Sequence, residues 1–116
     1  MQLNNIYKIK HELWLKILFA SFAIENQKIK NEIYEFSQIQ FRHLKWLSNE
    51  CKDNNIAYDY ERFEIDCIQK TNFKYFEYII NEIKISMRHY EESALFARII
   101  SDEFYMCQRL ELLLKN

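Results

Sequence analysis

A chain of 116 residues that contains neither glycine nor proline has few ways to turn sharply. Tight hairpin turns, glycine-rich phosphate loops and dinucleotide fingerprints all depend on those two residues, so none of them can be built here. The same absence removes the residues that break helices, and long helices become the default. Apolar residues make up 49% of the chain and aromatics 16%, enough to fill a core. The length suits one domain spanning 1–116. The expected class is all-α.

Apolar spacing predicts four helices. The first covers 3–24, with a core stripe of Ile6, Ile9, Leu13, Ile17, Ala20 and Ile24. Leu15, Leu18 and Phe22 form a second apolar face on it, and a helix apolar on two sides is either central or half-covered by a partner subunit. Homo-oligomerisation through the first helix is therefore expected. Glu25-Asn26-Gln27 makes a short turn into a second helix over 28–52, which Lys52-Asp53-Asn54-Asn55 ends. Residues 56–70 read as a crossover. A third stripe (Phe73, Phe76, Ile80, Ile83, Met87, Tyr90) follows an N-cap at Thr71 or Asn72, and a fourth helix covers 92–115. No breaker separates the last two helices, so one bent helix competes with a hairpin; the hairpin buries more apolar surface. The pattern describes a four-helix bundle of two hairpins joined by a crossover.

Sixteen basic and seventeen acidic residues are mixed along the chain, with no basic stripe to suit nucleic acid. No apolar run reaches the roughly 20 residues of a membrane span. Charges at Lys8, Lys10, His11 and Glu12 interrupt anything like a signal peptide core, so a cytoplasmic location is expected. Cys51, Cys67 and Cys107 are widely spaced and odd in number, which fits neither a zinc site nor a disulfide framework.

Chemistry is hinted at in one place. The second helix carries Ile29, Ile33, Phe36, Gln40, His43 and Leu47 on one face, and the fourth carries Phe96, Ile100, Glu103, Cys107, Leu110 and Leu114. Both stripes step by four and three residues alternately. Gln40, His43 and Glu103 are polar residues at core positions, where each needs a hydrogen bond, a counter-charge or a metal.

These segments resemble the ferritin-like di-iron carboxylate bundles. Glu12 followed by Phe19, Ala23 and Glu25-Asn26 is similar to the opening of that family. Gln40-Phe-Arg-His43 resembles its first E-x-x-H motif with Gln for Glu, and Glu103-Phe-Tyr-Met106 its second with Met for His. The resemblance implies metal ligands at Glu12, His43 and Glu103, with Gln40 and Met106 as weaker donors for iron or manganese. The third helix lacks the family's carboxylate, since Glu82 points away from its stripe and Glu77 only borders it. The likeness therefore implies a degenerate di-metal site in a non-catalytic interaction or scaffold protein. The alternatives are an iron- or manganese-binding protein in metal handling or oxidant defence, and an unrelated small helical regulatory module.

The residues also have simpler readings. His43 suits a core histidine bonded to Glu103 or Gln40. Glu103 suits either a partner for His43 or a rim residue paired with Arg98 or Arg109. Met106 fills space, Cys107 acts as a small buried hydrophobe, and His11 and His89 face solvent. The geometric expectation is that His43 and Glu103 meet near the bundle axis.

Overall fold

The computed structural model describes residues 2–53 and 72–115, and all regular structure among them is helical. Helix α1 runs Gln2–Ala23, α2 Gln27–Asp53, α3 Asn72–Met87 and α4 Ala94–Lys115. The predicted crossover, with Cys67, Thr71 and the stop signal at Asn54 and Asn55, lies outside the described residues, as does the side chain of Phe73. The last two helices form a hairpin rather than one bent helix.

Local chemistry explains the boundaries. Asn26 caps α2, its Oδ1 accepting from the Ile29 backbone N–H at 3.1 Å. Ser93 does the same for α4, where the Phe96 N–H reaches Ser93 Oγ at 3.1 Å. The turn over 88–93 holds itself with short-range bonds, Arg88 N–H to Ile85 O and His89 N–H to Ser86 O. A tightened last helical turn thus does the work usually left to glycine.

Helix α1 packs against α2 and α3, and α4 against α3 and α2, so α1 faces α4 across the bundle and α2 faces α3. The core is divided. One apolar cluster joins Leu13, Ile17 and Ala20 of α1, and Ile24 just after it, with Ile33 and Phe36 of α2, Phe76, Ile79, Ile80 and Ile83 of α3, and Met106, Cys107 and Leu110 of α4. A second joins Ile6 and Tyr7 with Leu44, Leu47, Phe96 and Ile99. Between them in sequence lie Lys10, Gln40, His43 and Glu103, all four fully buried.

Two stripes shift from expectation. On α1 the buried position between Ile6 and Leu13 is Lys10, while Ile9 is half-buried. On α4, Ile99 and Met106 are buried and Ile100 is half-buried. Both positions three and four residues from a core residue lie near the core face, and packing decides between them. The second face of α1 keeps Leu15 and Leu18 half-buried and Phe22 exposed, with Phe19 and Phe22 meeting edge to face at 6.0 Å.

Candidate functional site

The layer between the two apolar clusters is built around the Lys10 ammonium. Its Nζ donates to Glu103 Oε2 at 2.8 Å, to His43 Nδ1 at 3.0 Å and to Gln40 Oε1 in a short contact. An ammonium has three N–H donors and no acceptor, so these three partners saturate it. The aliphatic stem of the lysine crosses the apolar interior that a lysine normally escapes by reaching for solvent.

Helix α2 supplies two partners because positions 40 and 43 are three apart and share a face. Gln40 Nε2 donates to Glu103 Oε2 at 2.6 Å and makes a weaker contact to Met106 Sδ at 3.7 Å. The other carboxylate oxygen, Glu103 Oε1, accepts from the Tyr90 hydroxyl at 2.6 Å. Tyr90 has spent its one proton there, so Ser86 Oγ, 2.8 Å away, is the donor to the Tyr90 oxygen. Glu103 therefore receives hydrogen bonds from α1, α2 and the α3–α4 turn.

On the far side of Lys10, His43 Nδ1 accepts, which leaves the ring proton on Nε2. That proton is donated to Asp102 Oδ2 at 2.7 Å, and Arg42 reaches the same oxygen at 3.2 Å. A chain of hydrogen bonds thus runs from the buried ammonium through His43 to Asp102, which is 28% exposed.

Electrostatics follow from this geometry. Burial, with Lys10 beside it, pushes the His43 pKa down to about 4, so the ring is neutral. Burial also lowers the Lys10 pKa, and the charge and hydrogen bond of Glu103 oppose that shift. Burial alone would raise the Asp102 carboxyl, but the His43 hydrogen bond and the Arg42 guanidinium outweigh it and hold it below its usual value. Burial and the Glu103 carboxylate both raise the Tyr90 pKa, keeping the hydroxyl protonated.

Of the residues expected at the site, Gln40, His43, Glu103 and Met106 converge. Glu12 does not join them. It is half-buried on α1, and its charge acts on His11 and Lys16. The pairings also differ from the simpler readings. His43 bonds Lys10 and Asp102 rather than Glu103 or Gln40, since the lysine stands between them. Glu103 is a core residue and not a rim residue. Arg109 instead grips Glu32 with two nitrogens, and Arg98 lies over the Trp46 ring at 4.6 Å. His11 is half-buried and stacks on Tyr7. Glu82 faces α1 and pairs with Lys16 at 2.8 Å.

Lys10, Asp102, Tyr90 and Ser86 were not among the expected site residues. Lys10 sits four residues after Ile6 and three before Leu13, so it fits the alternation of four and three as well as Ile9 does. That is the signal that could have found it. Tyr90 was on the predicted third stripe, but as an apolar body; its hydroxyl carries the contact.

No protein-family model, curated protein or solved structure matches the chain. The di-metal centre implied by the resemblance can be tested on the residues themselves. Among the described residues no three His, Cys, Asp or Glu side chains group to hold a metal ion. More directly, the donors that would face a cation already face the Lys10 ammonium. A second cation among them would meet like charge at hydrogen-bond range. The residues present do not fit the metal pair. A groove of about 460 Å³ between α1 and α2, lined by Tyr7, His11, Trp14, Phe41 and Lys45 among others, shares no residue with this layer.

Proposed function

We propose that this chain is a ferritin-like bundle that works without a metal, as a non-catalytic scaffold or interaction protein. The observation that carries the reading is Lys10, whose buried ammonium takes the central place and pairs with Gln40, His43 and Glu103 at once. The course of the helices supports the family likeness. Helices α1 and α4 pass from the Ile6–Phe96 cluster to the Leu13–Leu110 cluster, and α2 passes the opposite way. The buried apolar side chains of α3 join the Leu13–Leu110 cluster, and Tyr90, in the turn after α3, packs on the other. An α2 and α3 that run the same way match the ferritin-like bundles, whose two hairpins are joined by one long connection. An interaction role is supported by the apolar side chains left outside, Phe19, Phe22, Phe104 and Leu112 among them. The doubly apolar α1 is the surface proposed to carry a homodimer.

Metal loading tests the central claim. Protein purified without chelator and exposed anaerobically to Fe(II) or Mn(II) should hold no stoichiometric metal and should melt unchanged. A ligand that binds only the folded state must raise its apparent stability. Stoichiometric uptake that His43→Ala abolishes would refute the reading and restore the metal-handling alternative.

A further inference from the structure

The groove between α1 and α2 stands apart from the Lys10 layer and is built like a small-molecule site. Its floor is Leu44 and the body of Tyr7, both buried. Its walls carry a continuous run of rings: Phe41 lies 5.2 Å from Trp14, Trp14 5.7 Å from His11, and His11 6.4 Å from Tyr7. On α1 these rings follow one another over about 10 Å of helix, a length that suits a two-ring aromatic system. The volume, about 460 Å³, falls in the range of roughly 300–1,000 Å³ found for pockets that take small ligands.

Two donors stand at one end of the groove. Lys45 Nζ lies 5.4 Å from the centre of the Phe41 ring, the same ring that Trp14 packs on. Lys45 is exposed and makes no ion pair among the described residues, and no acidic side chain lines the groove. Trp14 Nε1 is buried and has no hydrogen-bond partner among the described residues. Buried donors are nearly always paired, so an orphan in the wall of a groove calls for an acceptor the chain does not supply. Burial holds the His11 pKa below its ordinary value, so at neutral pH that ring adds flat surface rather than charge. One ammonium, one unpaired N–H and a wall of rings are complementary to a flat anion. We propose that this groove binds a two-ring aromatic carboxylate, its rings against Trp14 and His11 and its carboxylate held by Lys45 and the Trp14 N–H. A carboxylate brings two acceptor oxygens, one for each donor. The indole N–H is closed to water, so a turn of the Trp14 ring brings it to the carboxylate. This site goes beyond the scaffold reading and shares no residue with the layer that carries it.

Naphthalene-2-carboxylate is the probe, and naphthalene-2-carboxamide, of the same shape without the charge, is its control. Titration calorimetry of the full-length protein at neutral pH and low salt should show saturable binding of the carboxylate, with the carboxamide about tenfold weaker. Lys45→Gln should weaken the carboxylate by a similar factor of about ten and leave the carboxamide as it was. Lys45 is exposed, so the variant should melt like the wild type. In an isotope-labelled Trp46→Phe chain the remaining indole N–H signal is that of Trp14, and it should move downfield as the carboxylate is added. If Trp46→Phe fails to fold, the calorimetry of wild type and Lys45→Gln still decides. Three results overturn the proposal: no saturation at millimolar carboxylate, equal affinity for carboxylate and carboxamide, or a Trp14 signal that stays in place while the probe binds. None of them bears on metal uptake, so failure here is distinct from failure of the scaffold reading.

Discussion

Replacing Tyr90 by phenylalanine removes one oxygen atom from the centre and almost nothing else. The ring stays, because its stacking on Phe96 (centroids 5.2 Å apart) and its place 5.7 Å from the Lys10 ammonium need no hydroxyl. Two hydrogen bonds go. Glu103 Oε1 loses its donor at 2.6 Å, and Ser86 Oγ loses its acceptor at 2.8 Å. A bond to a charged group is worth about 1.5–3 kcal/mol and a neutral one about 0.5–1.5 kcal/mol, so Tyr90→Phe should cost about 3 kcal/mol. At about 2.1 cal/mol/K per residue the unfolding entropy of a chain this long is roughly 0.24 kcal/mol/K, and the melting point should fall by about 12 °C. Ser86→Ala removes only the neutral bond and should cost about 1 kcal/mol. Urea unfolding followed by far-ultraviolet circular dichroism measures both, with the denaturant slope checked for constancy. Adding Ser86→Ala to Tyr90→Phe should cost almost nothing more, since the shared bond is already lost. Two results would refute the reasoning: a Tyr90→Phe cost below about 0.5 kcal/mol, or full additivity of the two substitutions.

The neutral His43 makes stability depend on pH. Its folded pKa of about 4 lies below the ordinary 6.5, so between those values the unfolded chain binds more protons than the folded one. The stabilisation is complete above pH 6.5 and is lost as pH falls towards 4, by an amount on the order of 3 kcal/mol. Melts across that range should show the slope in wild type and a flatter one in His43→Gln; equal slopes would remove His43 as the cause. Burial also pushes the Cys107 thiol up to about 11 and raises Cys51. In a Cys67→Ser background at neutral pH, a thiol reagent should therefore modify Cys107 roughly a hundredfold more slowly in the native protein than in the unfolded chain, and Cys51 more slowly too. Native reaction at the unfolded rate would show that these two thiols are not enclosed.

Much of the architecture was legible because missing breakers and a repeating apolar step are both local signals. The turn at Asn26 and the α2 and α4 stripes could be placed within a residue or two from such signals. Gln40, His43 and Glu103 could be seen as anomalies because each interrupts an apolar run. Lys10 interrupts one too, but Ile9 beside it offered an apolar candidate for the same face, and a lysine stem long enough to reach solvent gave no cause to bury it. Glu12, two residues on, looked like the partner because a carboxylate was the group the resemblance called for. Which of two neighbouring residues turns inward depends on the acceptors that other helices bring. Those acceptors come from positions 30 and 93 residues away, a separation no local pattern carries.

The split core has a consequence for how the helices find their alignment. Leucine and isoleucine exchange places at little cost, so helices coated only with them can slide past one another. Sliding α1 by one turn, about 5.4 Å, would leave its apolar contacts much as before. It would also strand the Lys10 ammonium among hydrocarbon, and strand Gln40, His43 and Glu103 where it had been. Breaking a buried ion pair costs about 3–5 kcal/mol, a large share of the roughly 5–15 kcal/mol that keeps a domain folded. A single lysine therefore acts as a detent, admitting one alignment of α1 and making every neighbouring one too unstable to populate.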